Sequence, residues 1–159
     1  MITGSIAANF YATPRMTRDI DVVMEFKEED VERFCGVFGE DFYVDRDMIM
    51  EALRKTGMFN IIHYQSVFKV DCIIRKNDDY RMEEFKRRKK IKVAGTELYI
   101  VAPEDLILSK LCWAKEGISD LQVGDVKNIL RQTKNLDEEY LSLWAKYLGV
   151  EELYSKVKQ

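Results

Sequence analysis

The stretch TRDIDVV, residues 17–23, constrains this chain more than any other, because it sets Asp19 and Asp21 one residue apart inside an apolar run. In a strand, side chains alternate between faces, so positions i and i+2 point the same way and the two carboxylates converge. Like charges held that close beside a core repel and lose hydration. The arrangement persists only if a cation or several donors compensates. A divalent metal ion is the expected compensator.

A metal held by two acids needs a third ligand from a neighbouring strand. VFKVDCII, residues 67–74, offers Asp71, isolated between Val70 and Cys72. Alone, Asp71 reads equally as a strand-end acid facing solvent. Near the start, Met1–Thr3 reads as a strand running into a turn at Gly4–Ser5, followed by a short helix over Ile6–Tyr11. The whole pattern is a Gly-Ser turn, two acids flanked by apolar residues, and a third acid on a later strand.

Between these points the chain alternates strand-like and helix-like runs. Glu28–Phe38 has apolar residues at helical spacing, with Gly39 as its stop. Phe42–Val44 reads as a short strand and Arg46–Lys55 as a helix, with Gly57 as C-terminal punctuation. FNIIHYQ and SVFKVDCII form a hairpin around Gln65 and Ser66. A helix is expected over Asp78–Phe85, then two strands turning at Ala94–Gly95. From Pro103 the period changes: a helix runs to Glu116, and two or three more follow. The expected fold is therefore α+β, a mixed twisted sheet flanked by helices with a C-terminal helical lobe. Residues 1–102 form the core, and residues 103–159 pack on it as one unit.

With 159 residues, 47% hydrophobic, 33% charged, two prolines and eight glycines, the chain has the profile of a folded protein able to bury a core. No run approaches the roughly 20 apolar residues of a membrane span. The opening MITGSIAANFY lacks the layout of a signal peptide. Cys35, Cys72 and Cys112 are odd in number and far apart, and His63 is the sole histidine, so neither a disulfide framework nor a zinc site is indicated. A cytoplasmic location is expected.

The Gly4–Ser5 turn followed by Asp19, Asp21 and Asp71 resembles the nucleotidyltransferase superfamily that includes DNA polymerase beta. The fuller string GSIAANFYATPRMTRDIDVV, with PEDLILSKL and VGDVKNIL later, is similar to AbiEii-type nucleotidyltransferases, many of which are toxins of toxin–antitoxin systems. The resemblance implies transfer of NMP from an NTP to a hydroxyl of RNA, protein or a small molecule, with Mg2+ or Mn2+ as cofactor. For a toxin it adds an antitoxin partner. It assigns Asp19, Asp21 and Asp71 to metal and catalysis and Gly4 and Ser5 to the triphosphate. Lys110 would reach the phosphates, with Asp125 as a further polar member. The same resemblance implies sequence ahead of the Gly4–Ser5 strand, so a start at Met1 is expected to leave an exposed sheet edge or to weaken activity.

Several residues keep two readings. Arg15 and Arg18 are solvated or paired loop arginines, or one of them steadies a phosphate. Lys110 is an exposed helix lysine or a phosphate ligand, and Asp125 a first-turn helix acid or a site residue. The segment Arg75–Lys92 is a solvated basic corner or a patch for RNA. The patch would suit the alternative function, a catalytically inactive module binding nucleotide, RNA or a protein partner. Trp113, Trp144, Tyr147 and Tyr154 pack between helices, or one of them stacks on a base. His63 is expected on a strand surface and is not assigned as a base.

Overall fold

The structure, a computed structural model, describes residues 1–66, 68–117 and 120–158. Its strands are β1 (Ile2–Thr3), β2 (Asp19–Met24), β3 (Phe42–Tyr43), β4 (Met58–His63), β5 (Lys69–Ile74), β6 (Lys89–Val93) and β7 (Thr96–Ile100). Its helices are α1 (Gly4–Tyr11), α2 (Val31–Phe38), α3 (Arg46–Lys55), α4 (Asp79–Lys86), α5 (Pro103–Gly117), α6 (Asp120–Gln132), α7 (Glu138–Tyr147) and α8 (Glu151–Lys158), with a 3₁₀ turn at Glu28–Asp30. The chain is α+β, as its alternating periodicities lead one to expect.

The strands form one mixed sheet in the order β3-β4-β5-β2-β1-β7-β6. β2 runs parallel to β5, and β1 parallel to β7, while the remaining neighbours are antiparallel. β1 is thus an interior strand. The expectation of an exposed edge there is corrected: Ile2 pairs with Val22 on one side and Ile100 on the other, and the Met1 ammonium donates to the Val23 carbonyl. The outer strands are β3 and β6, and β6 carries Lys89, Lys90 and Lys92, charges that discourage edge-to-edge pairing.

Alternation along β4 and β5 divides the molecule. Phe59, Ile61, Cys72 and Ile74 point to one face and meet Val31 of α2 and Ile49 and Ala52 of α3 in a small core. Phe26, Phe34, Phe38 and Phe42 pack around it in edge-on and tilted contacts. The other face of these strands carries Lys69, Asp71 and Ile73 towards α1 and α5. A larger core joins Ala7 of α1, Tyr80 of α4 and Ile100 of β7 to Leu106, Leu111, Val126, Ile129, Leu141 and Tyr154 of the C-terminal helices, so it crosses residue 102. α5 is the central rod. From Pro103 to Leu111 it is buried on every side, which explains why its sequence shows so little amphipathic contrast.

Local chemistry sets the ends. Asp45, Asp78 and Asp137 cap α3, α4 and α7 by accepting from backbone amides of the first turn. Beyond shifts of a residue or so elsewhere, three boundaries differ from the sequence reading. α1 begins at Gly4 rather than Ile6, and Glu28–Phe38 divides into a 3₁₀ turn and α2. The left-handed residue that ends α3 is Thr56, at φ 49°, and not Gly57.

Candidate active site

Three strands bring the acids to one face. Asp21 of β2 lies in register with Asp71 of the parallel β5, and Asp71 with Asn60 of β4; one step back, Asp19 is level with Lys69. Residues level on neighbouring strands share a face. Exposure is graded along this surface: Asp19 is exposed, Asp21 half-buried, and Asp71 buried at 7%. Burial pushes the Asp21 carboxyl above the usual carboxylate range, and the charges of Asp71 and Asp19 push it further, against the nearby Lys110 charge and a hydrogen bond from the Ser5 amide.

The Gly4–Ser5 turn is built against these acids. Gly4 sits at φ +62°, and a Cβ added there would lie 1.9 Å from Asp21 Oδ2. A residue without Cβ, able to adopt that backbone, is what lets α1 start against the Asp21 carboxylate. The turn already has partners within the chain. Its Ser5 amide is bonded to Asp21, and Ser5 Oγ accepts from Arg15 Nη2 at 2.7 Å.

Arg15 leads on to Asp125. Its Nε and Nη2 donate to the two Asp125 oxygens, each at 3.0 Å, a two-pronged pairing that orients both groups. Lys110 Nζ donates to Asp125 Oδ2 at 2.8 Å and to Gln122 Oε1 at 2.9 Å. Lys110 is buried, not an exposed helix lysine, and Asp125 lies inside α6, not in its first turn. Burial alone would raise the Asp125 carboxyl; hydrogen bonds and charge from Arg15 and Lys110 overcome it and hold it below its ordinary value. The resulting chain runs Ser5, Arg15, Asp125, Lys110, Gln122. It borders a cleft of about 130 Å³ lined by Gly4, Ser5, Asp21, Ile73, Lys110 and Trp113 among others.

The acid face suits a hard divalent cation in its chemistry. Asp71 Oδ1 is buried with no hydrogen-bond partner among the described residues, an acceptor of the kind that a metal ion or a protonated group satisfies. The acids are not closed into a cage: among the described residues no three His, Cys, Asp or Glu side chains are gathered to hold an ion. Lys69 stands between them instead, its Nζ 2.9 Å from Asp71 Oδ2 and 3.8 Å from Asp19 Oδ2. Asp71 above all, with the Asp19 and Asp21 charges, raises the Lys69 pKa, so Lys69 is a fixed cation at this place.

Other expected residues fall elsewhere. Arg18 is exposed and outside the Arg15–Asp125 network. His63 lies on the opposite face from Asp71, its ring edge-on to Phe42 and its Nδ1 accepting from the Ser66 amide. Trp144 packs with Tyr80, Tyr140 and Tyr147, whereas Trp113 is 59% exposed and does not pack as expected. The basic segment is largely consumed within the fold. Arg75 pairs with Glu25, Arg81 with Glu84, Arg87 with Glu104 and Asp105, and Lys90 with Glu97, while Arg88 covers Phe85 and Tyr99. Lys69 and Asn60 were missed by sequence reasoning. A period-two reading back from Asp71 was enough to put Lys69 on its face; Asn60 emerges only from strand pairing.

No protein-family model matches the sequence, and no curated protein matches it. Solved structures do. An antigenic nucleotidyltransferase-like protein from Paracoccidioides brasiliensis superposes with a TM-score of 0.51 over 99% of this chain and 82% of its own, at 15% identity. The lincosamide antibiotic adenylyltransferase LnuA, bound to lincomycin, gives a TM-score of 0.52 over 83% of this chain and 85% of its own, at 10% identity. At such identities the likeness is one of fold, and the fold is nucleotidyltransferase-like.

Proposed function

We propose that this chain is a metal-dependent nucleotidyltransferase that moves NMP from an NTP to a hydroxyl acceptor. One observation carries the reading: Asp71 stands level with Asp21 on the same sheet face, beside the Gly4–Ser5 turn, with a buried oxygen left unpartnered. Asp19, Asp21 and Asp71 would hold Mg2+ or Mn2+, which when bound neutralises charge on the transferred phosphate. Hard oxygen donors in this number suffice, because magnesium keeps several waters.

The remaining roles belong to the chain itself. Asp125 holds the Arg15 guanidinium and the Lys110 ammonium beside the cleft, where a triphosphate would take up their free donors. The Ser5 hydroxyl, already accepting from Arg15, keeps its proton to donate to a phosphate oxygen. Asp71 Oδ1 is the atom suited to receive the proton of the acceptor hydroxyl. The acceptor is RNA, protein or a small molecule, the last in keeping with the antibiotic held by LnuA. The resemblance of the GSIAANFYATPRMTRDIDVV string to AbiEii-type proteins is what favours a toxin role with an antitoxin partner.

Incubating the protein with Mg2+ and each labelled NTP, with and without candidate acceptors, tests the reading. Transfer or self-labelling lost on combining Asp19→Ala with Asp21→Ala is the expected result. Absence of metal-dependent binding by calorimetry for all four NTPs overturns it.

A further inference from the structure

We propose that Trp113 is the platform on which the nucleobase of the bound nucleotide stacks. The inference rests on the nucleotidyltransferase reading and adds how that site grips the base. Leu106, Ser109, Lys110 and Trp113 occur at helical spacing along α5 and all border the cleft, so Trp113 stands one turn beyond the Lys110 ammonium on the same helix face. Every residue of α5 before it, up to Leu111, is buried. Trp113 is 59% exposed, the one large apolar side chain that α5 leaves to solvent.

The size of the cleft explains why such a group belongs there. At about 130 Å³ it encloses a fragment of a nucleotide, far below the 300 Å³ or more typical of a site that swallows a small ligand. With phosphates against Ser5 and Lys110, the base must lie on the rim. Among the residues lining the cleft, Trp113 is the one aromatic ring, and Ile73 supplies apolar surface from the sheet side. A ring left open to water beside a polar cradle gains by being covered with another flat ring. Stacking accepts any base because each has a π-face, with modest preference for larger rings. The site therefore discriminates weakly among the four NTPs and favours purines.

The test uses Trp144→Phe protein, in which Trp113 is the sole tryptophan and is excited at wavelengths beyond the tyrosine band. With Mg2+ present, each NTP is expected to quench its fluorescence, while inorganic tripolyphosphate, which has no base, binds without quenching. Trp113→Ala in otherwise unchanged protein is expected to weaken NTP binding about 5- to 150-fold, the range measured for base–aromatic stacking. Tripolyphosphate affinity should stay unchanged, and Trp113→Phe should restore most of the loss. NTPs that bind with undiminished affinity to Trp113→Ala overturn the stacking inference and leave the enzyme reading intact. Failure of both NTP and tripolyphosphate to bind the unmutated protein removes both.

Discussion

Gly4→Ala tests whether the turn is shaped by its contact with Asp21. At φ +62° an L-residue pays a backbone cost of about 1–2 kcal/mol. The added Cβ would also stand 1.9 Å from Asp21 Oδ2 and 2.6 Å from its Cγ, so the carboxylate must swing away and give up the Ser5 amide. A hydrogen bond to a charged group is worth about 1.5–3 kcal/mol. The two effects together predict a loss of about 3–5 kcal/mol. Gly95 supplies the control. It has φ +86° with nothing within 4 Å of a built Cβ, so Gly95→Ala should cost only the backbone part, about 1–2 kcal/mol. In an Asp21→Ala background the nearest remaining atom is the residue-21 Cβ at 3.0 Å, still a tight contact, so the Gly4→Ala cost should fall but stay above the Gly95 value. Urea unfolding of the four variants measures all of this. A Gly4→Ala cost equal to that of Gly95→Ala, or unchanged by removing the Asp21 carboxylate, refutes the argument.

Two further outcomes follow from buried charge. Even at the dielectric of water, a unit charge 2.9 Å from Asp71 is worth about 1.4 kcal/mol, so Lys69→Met should tighten Mn2+ binding about tenfold or more while lowering the metal-free melting temperature, as read by electron spin resonance titration and thermal unfolding. Burial lifts the Asp105 carboxyl from 3.8 to about 6, against hydrogen bonds from Tyr140 and Arg87. The folded state then holds a proton that the unfolded state has released, so the Asp105 contribution to stability is fully present below pH of about 4 and is lost, by on the order of 3 kcal/mol, as pH rises through about 6. The difference between the pH profiles of the unmutated protein and Asp105→Asn, in urea unfolding, should carry that slope; a flat difference contradicts it.

What was legible in the sequence is what depends on neighbours along the chain. α3 runs from Arg46 to Lys55 as read, because Asp45 caps it and its apolar positions recur at helical spacing. The hairpin strands and the Ala94–Gly95 turn were readable for the same reason, both turn residues having positive φ. The face shared by Asp19 and Asp21 follows from alternation alone. What escaped depends on pairing between distant segments. Asn60 joins the acid face only because β4 pairs with β5. The pairing of Asp125 with Arg15, 110 residues away, was not legible, although the resemblance had already set Asp125 beside Lys110. The basic run from Arg75 to Lys92 kept two readings because most of its partners, Glu25, Glu97, Glu104 and Asp105 among them, lie outside it in sequence.

The central placement of α5 also bears on how the protein moves. One wall of the cleft is the sheet and the other is a rod whose far sides are locked among α6, α7 and α8, with Tyr80 and Arg87 of the α4 region anchored to Asp105. Parting the two walls would breach the main core in which α5 lies. Substrate admission is thus a matter of side chains changing partners on a stiff frame, and backbone amides of α5 should exchange with solvent only when the whole molecule opens.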